Sequence, residues 1–525
     1  MASSLVTAAV VAASVAVYPA PGVSTASPTT QISFRGTTDL GTVTVTGSRS
    51  GRHRGRVREH SDGQGASWLP SRRFTSGETV RVRSRARRYS FKVGRRPAPA
   101  PTRRITRDMK ADVQSFASRP DLTPPRLWVD QAQPGRTPGF TFLGPKGGRE
   151  MGPMVIDDRG QLVWFRELPR DTAAFDVRVQ SYRGEPVITW WQGKLVGGGG
   201  RGEGVIFDAE YDLVRRVRMG NGFKADSHEF TLTPNGTALL IGYDAVYRDE
   251  GRVLQAVVQE VDVATGLVLF EWHSIGNVAT AESYRRRVSR RQHLDYMHLN
   301  SVAVAEGGDF VLSARGTNAV YKVSRATGRV LWRLGGKRSD FRQDAGTRFF
   351  EQHDVRPGPD DTLTLFDNAR RGHRSRALTV RLDGRRARLV ASRTHPLDLH
   401  ASTQGGVQPL PDGHTFVGWG SQRWFTEFDA AGRVVFDGRL ARGMDSYRAY
   451  RAAWVGTPKT RPVAVRRGKR LHVSWNGATQ VAAWVVNGRR YPRTGFETRL
   501  PAPSARAVVR AVDAAGTVLG ESRKA

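Results

Sequence analysis

The chain has no cysteine. That excludes disulfides, thiolate metal sites, a cysteine nucleophile and a lipid anchor on cysteine. Helical periodicity is scarce; short alternating strands between Gly, Asp and Asn turns take its place. No phosphate-cradling GxxxxGK[ST] loop is present, so a bound nucleotide donor is not indicated. The familiar nucleic-acid-binding motifs are missing too. The apolar run at 5–17, LVTAAVVAASVAV, stops at 13 residues, whereas a helix needs about 20 to span a bilayer. It suits the core of an export signal, with small residues following at Val23–Ser27 and no Lys or Arg ahead of it. Residues 1–30 are therefore read as a signal peptide and the protein as secreted or extracytoplasmic.

Acidic charge is in short supply: 48 Asp and Glu stand against 82 Lys and Arg, a net +34. Of the basic residues 72 are Arg, scattered along the whole chain, as a general bias toward arginine would leave them. The densest run, YRRRVSRRQH (284–293), reads as an exposed loop able to draw in an anion. The 525 residues are 38% hydrophobic with a mean hydropathy of −0.46, enough to build a sizeable core.

What is abundant is a repeat. MVIDDRGQLVWF (154–165), VIFDAEYDLVRRV (205–217), VQEVDVATGLVLFEW (258–272), VYKVSRATGRVLWRL (320–334), ALTVRLDGRRARLV (377–390) and FTEFDAAGRVVFDG (425–438) share one pattern of strand, polar turn, strand. Their turns, at Gly160, Asp212, Gly266, Gly328, Gly384 and Gly432, fall 48 to 62 residues apart. A second hairpin precedes five of them. Two hairpins make the four strands of one propeller blade, so the expected fold is all-β: a six-bladed β-propeller over 124–458. A small N-terminal β-domain (31–110) and a linker (111–123) precede it, and a β-sandwich of fibronectin or immunoglobulin type (459–525) follows.

In a propeller the first strand of each blade lines the central channel. Counting back from each first-hairpin turn places Asp176, His228, His298, His353 and Gln404 at equivalent positions. Three of the twelve histidines thus share one register in consecutive blades and should gather at one mouth of the channel. Asn300 follows His298 by two, on the same face of a strand. Arg315, in the next strand, is in reach. Three imidazoles, an amide and a guanidinium suit a small oxyanion, with one imidazole as nucleophile and another as proton carrier. Three histidines also suit zinc. Tyr296, Trp419 and Trp424 stand near the inner strands, either stacking a phenol ring or packing the core.

The pieces DSHEFTLTPNGTALL, HLNSVAV, SARGTNAVYKV, LWRLGG, QHDVRPGPDDTLTLFDN and YRAYRAAWV together resemble the bacterial arylsulfotransferase (aryl-sulfate sulfotransferase) family over about 150–458, with an actinobacterial-type branch as the nearer likeness. The resemblance implies a six-bladed propeller that moves a sulfuryl group from a phenolic sulfate ester to a phenolic acceptor, with neither a nucleotide donor nor a metal cofactor. It implies His353 as the nucleophile that becomes sulfohistidine. His228 and His298 would hold the sulfuryl oxygens and manage the phenol proton, and Asn300 and Arg315 would complete the anion pocket. The family's threonine near the sulfate falls here at Gln404, with Thr403 beside it. Two other functions fit the same sequence: a non-catalytic extracellular propeller binding sulfated or carboxylated ligands, and a metal-dependent lyase or esterase propeller.

Overall fold

A computed structural model describes residues 15–99, 101, 102, 105, 107–286 and 293–525. Most of the basic run at 284–293, and the apolar run up to residue 14, lie outside the described residues. No α-helix occurs among the described residues; strands joined by tight turns and four short 3-10 turns make the fold.

Six sheets follow one another between Leu127 and Ala452. Five of them run in simple chain order, beginning with the inner strands Ala173–Tyr182, Phe230–Leu232, Leu299–Val304, His353–Pro357 and Gly406–Pro409. The remaining sheet takes its inner strand from the far end of the chain: Asp445–Ala452 pairs antiparallel with Phe140–Lys146. The segment Leu127–Ala132 adds an outer strand beside Val434–Leu440. Six apolar clusters alternate with the six sheets, each shared by two neighbours. One joins Trp191 and Ile206 to Phe230 and Leu240; another joins Leu143 and Met154 to Phe416 and Phe436, closing the ring. Runs of consecutive hydrophobic residues explain this, since successive side chains point to opposite faces and each sheet has a neighbour on both. Trp190 and Trp191 are adjacent, so they point to opposite faces, and both are fully buried. Each large apolar side chain so placed contributes about 1.5–3 kcal/mol. The arrangement is propeller-like.

Two further units flank the ring. The N-terminal one stacks the sheet containing Ile32–Arg35 and Gly65–Pro70 on the sheet containing Thr44–Gly47 and Thr79–Arg83, around Phe34, Val45, Trp68 and Val82. It starts earlier than residue 31. Ala16–Tyr18 pairs with Ile32–Arg35, Ala26 is buried in its core, and Thr25 Oγ1 donates to Gln255. The small residues at 23–27 are thus part of a folded domain, and an export segment ending at 30 would remove one of its strands. The domain docks on the third sheet through buried polar contacts: Gln31 Nε2 donates to Val268 O at 2.8 Å, and Arg96 grips both oxygens of Asp244 at 2.9 Å. The C-terminal unit holds two sheets around Leu471, Trp484 and Val509. Tyr211 ties it to the ring by donating to Gly477 O at 2.8 Å.

Candidate active site

The three histidines predicted to converge do so. The rings of His228 and His298 have centroids 5.1 Å apart, and those of His228 and His353 lie 6.4 Å apart. All three are nearly closed off from solvent.

Each ring has one nitrogen committed. His228 Nδ1 contacts Asp226 Oδ1, and His298 Nδ1 contacts Asp295 Oδ2 at 2.5 Å. A carboxylate oxygen accepts, so in both rings Nδ1 carries the hydrogen and Nε2 is the nitrogen turned away from the aspartate. His353 uses an amide instead: its Nδ1 lies 2.7 Å from Asn368 Oδ1. Asn368 Nδ2 donates to Ala401 O at 2.8 Å and Gln404 O at 2.9 Å, which fixes the amide with its oxygen toward the ring. His353 therefore donates from Nδ1 and keeps its lone pair on Nε2. That lone pair accepts the backbone N–H of Gln404 at 3.2 Å.

Burial, with the Arg315 guanidinium beside it, holds the His353 pKa well below the ordinary 6.5. Burial also lowers that of His298, outweighing the Asp295 carboxylate. Burial raises the Asp295 pKa, yet the His298 ring and Arg285 bring it below 3.8. His353 and His298 are thus neutral at pH 7, and Asp295 is ionised.

Arg315 follows the strand Phe310–Ala314. Its backbone N–H donates to His298 O at 3.0 Å. Its Nη2 pairs with Glu351 and donates to Ser402 O at 2.9 Å. The turn needs Gly316: a Cβ there would meet Tyr296 O at 2.4 Å.

Several expectations need correction. His298 does not open a strand; it precedes Leu299–Val304 at φ 45°. The ladder slips between Leu299 and Ser301, so simple alternation fails at Asn300. Asn300 is fully buried, donates to Gln352 O at 2.7 Å and accepts from Arg448 on its carbonyl. Its Oδ1 has no partner. Tyr296 is core, fully buried with its hydroxyl on Val278 O, and offers no ring to a substrate. Trp419 is equally buried in the cluster between the fifth and sixth sheets, with Trp424 packed against it. Gln404, at φ 66°, presents its backbone to His353, while its side chain reaches Thr403 Oγ1 at 3.4 Å.

Asp176 is one residue out of register. The ladder slips between Phe175 and Arg178 as it does between His353 and Arg356, and Asp176 and Asp354 share a left-handed φ of 57° and 55°. Phe175 therefore matches His353, and Asp176 matches Asp354. The repeated Asp-Val-Arg at 176–178 and 354–356 carries that signal in the sequence. These residues fill the channel below the histidines. Arg448, from the closing strand, lies 2.9 Å from Asp176, 3.6 Å from Glu229 and 3.3 Å from Asp354. Arg178 and Arg356 complete a set of three guanidiniums on three carboxylates. Tyr447, also from the closing strand, has its ring 5.7 Å from His228 and its hydroxyl 3.3 Å from His228 O. Tyr243 is the half-buried aromatic at the site, near-parallel to His298 at 6.0 Å.

Carboxylate–imidazole pairs also orient metal ligands. Here the third ring spends its free nitrogen on Gln404. Among the described residues, the groups whose ligand atoms gather within 4.8 Å of one another are Asp412, His414 and Glu427, and Asp208, Glu210 and Asp212; the histidine trio is not one of them.

A propeller-like all-β ring with a buried imidazole trio at its centre defines the class. A sequence model of the arylsulfotransferase (ASST) family matches residues 178–441, and the chain belongs to that family. No curated protein matches the chain. Similar solved structures include a protein of unknown function from Bacteroides caccae, at 13% identity and TM-score 0.38 over 60% of this chain and 98% of that one. A catalytically inactive virginiamycin B lyase from Staphylococcus aureus matches at 8% identity and TM-score 0.33 over 67% and 97%. Likenesses this distant add nothing to what the sheets themselves define.

Proposed function

We propose that the chain is an extracytoplasmic aryl-sulfate sulfotransferase, built as a six-bladed propeller with a C-terminal sandwich of fibronectin or immunoglobulin type. It carries the sulfuryl group on His353 between a phenolic sulfate ester and a phenol. The observation that carries this reading is the hydrogen bonding of His353: Nδ1–H is held by Asn368, and Nε2 is a neutral lone pair beside two carboxylate-paired imidazoles.

In the first half-reaction the Nε2 lone pair forms an N–S bond as the S–O(aryl) bond breaks, and the electron pair leaves on the phenolate oxygen. The sulfated ring keeps its Nδ1–H on Asn368. Arg315 and the Gln404 N–H, released from Nε2, face the charge on the sulfuryl oxygens. In the second half-reaction an acceptor phenol gives its proton to Nε2 of His298 or His228, and its oxygen takes the sulfur back from His353. The imidazolium so formed is balanced by its aspartate and protonates the next leaving phenolate. One proton thus serves both halves of the cycle.

The test is turnover of p-nitrophenyl sulfate with and without added phenol, on wild type and His353→Ala. Nitrophenolate release that requires the phenol, yields a sulfated acceptor and vanishes in the variant supports the reading. Release into water alone would make the protein a sulfatase. No release by folded wild type over a panel of phenols would favour a propeller that only binds anionic ligands.

A further inference from the structure

The outer sheet of the N-terminal domain carries a cationic face that the transfer reaction does not use. Its strands run in the order Gly51–His53, Thr44–Gly47, Thr79–Arg83, Arg88–Lys92. The pairing aligns Arg52, Thr46, Arg81 and Ser90 in one row across the sheet. Thr44, Arg83 and Arg88 form the next row, and Thr79 pairs with Lys92. Alternation sends Val45, Val80, Val82 and Phe91 inward and these residues outward; all five cations are exposed.

Two features separate this face from arginine scattered at large. First, no carboxylate lies in its rows, and among the described residues none pairs with Arg52, Arg81, Arg83, Arg88 or Lys92, although Arg85 at the neighbouring turn is paired with Asp39. Over residues 31–100, 16 Lys and Arg stand against 4 Asp and Glu. Second, the domain is held rigidly. Its other sheet lies on the ring through Gln31 and Ser33, which both donate to Val268 O, and Ser61 donates to Asp262. The cationic face is therefore turned away from the ring, at a fixed attitude.

We infer that this face docks an anionic polysaccharide, a hydroxyl-rich polymer bearing repeated sulfate or carboxylate groups. Strands about 4.8 Å apart, with side chains about 6.6 Å apart along each, set cations on a regular grid that matches repeated charge. Thr44, Thr46, Thr79 and Ser90 place hydroxyls between the cations, suited to sugar hydroxyls. The face offers no aromatic surface for base stacking, which single-stranded nucleic acid requires: Phe91 points inward and the Tyr89 hydroxyl is buried.

Binding of full-length protein to dextran sulfate, unsulfated dextran and a single-stranded oligonucleotide, over a salt series, tests this. The variant is Arg81→Ser/Arg83→Ser/Arg88→Ser. A charge-matched control replaces the exposed Arg215, Arg371 and Arg523 by Ser. The expected result is dextran sulfate bound at least tenfold more weakly by the first variant, with a salt slope lower by roughly 2–3. The control should stay within about twofold, unsulfated dextran should not bind, and aryl-sulfate turnover should be unchanged in both. Equal losses in both variants would reduce the effect to net charge and overturn the inference. So would an oligonucleotide bound as tightly as dextran sulfate and lost to the same degree.

Discussion

Asn368 holds both sides of His353: its Oδ1 lies 2.7 Å from Nδ1, and its Nδ2 donates to the carbonyl of Gln404, whose own N–H sits on Nε2 at 3.2 Å. One buried amide thus sets the tautomer of the ring and the position of the group opposite it. Replacing it by aspartate puts a negative charge against Nδ1–H and stabilises the imidazolium, so the His353 pKa rises. Wild-type His353 stays neutral well below pH 6.5, so the acid limb of kcat/KM lies below that value. In Asn368→Asp the limb moves to higher pH, whereas Asn368→Ala loses about 10- to 100-fold in kcat without that displacement. A pH–rate profile separates the two; coincident limbs would remove Asn368 from this role.

Asp295 orients His298 and balances its charge when it takes a proton. Asp295→Asn should lower kcat about 10²–10⁴-fold with phenols of high pKa. The loss should be much smaller for departure of nitrophenolate, which needs no proton. Single-turnover rates for two leaving groups measure this; equal losses would mean that His298 carries no proton to the leaving oxygen.

Arg448 is fully buried against three carboxylates. Arg448→Met leaves them short of a cation and should destabilise the fold by about 3–5 kcal/mol, read as a fall in the denaturant midpoint. The same network predicts acid sensitivity. The Asp176 pKa is lowered; burial raises it, but Arg178, Arg448 and Arg356 pull it further down. A carboxylate with a depressed folded-state pKa gives stability that is whole above its unfolded value of about 3.9, and that stability is lost as pH falls toward the folded value. Thermal melts should be flat in this respect near neutrality and drop below about pH 4.

Tyr296 packs in the core. Tyr296→Phe should cost about 1 kcal/mol through the lost bond to Val278 O and leave KM for both phenols unchanged. A shift in acceptor KM would return Tyr296 to the substrate.

The histidine register was legible because spacing from the hairpin turns is kept along the chain's own repeat. What spacing does not encode is the slip in the inner ladders. A bulge adds one residue and changes the face of every residue after it, so Asp176 was placed where Phe175 stands, and Asn300 was given a simple alternation it does not have. Asn368, Tyr243 and Tyr447 were missed for another reason: they lie just past a second strand, on a second strand and on the closing strand, outside the inner-strand positions that the repeat aligns. Exposure is likewise invisible in a local pattern. Tyr296 and Trp419 read as aromatics near a channel, and both are core.

The strand that completes the first sheet is Asp445–Ala452, more than 90 residues after His353 in the chain. It delivers Tyr447 beneath His228 and Arg448 among the channel carboxylates. A growing polypeptide therefore contains all three histidines and their orienting partners long before Tyr447 joins them, and the three channel acids share Arg178 and Arg356 until residue 448 arrives. The ring closes only when this strand pairs with Phe140–Lys146, so a chain truncated before Asp445 would keep all three histidines in a ring left open.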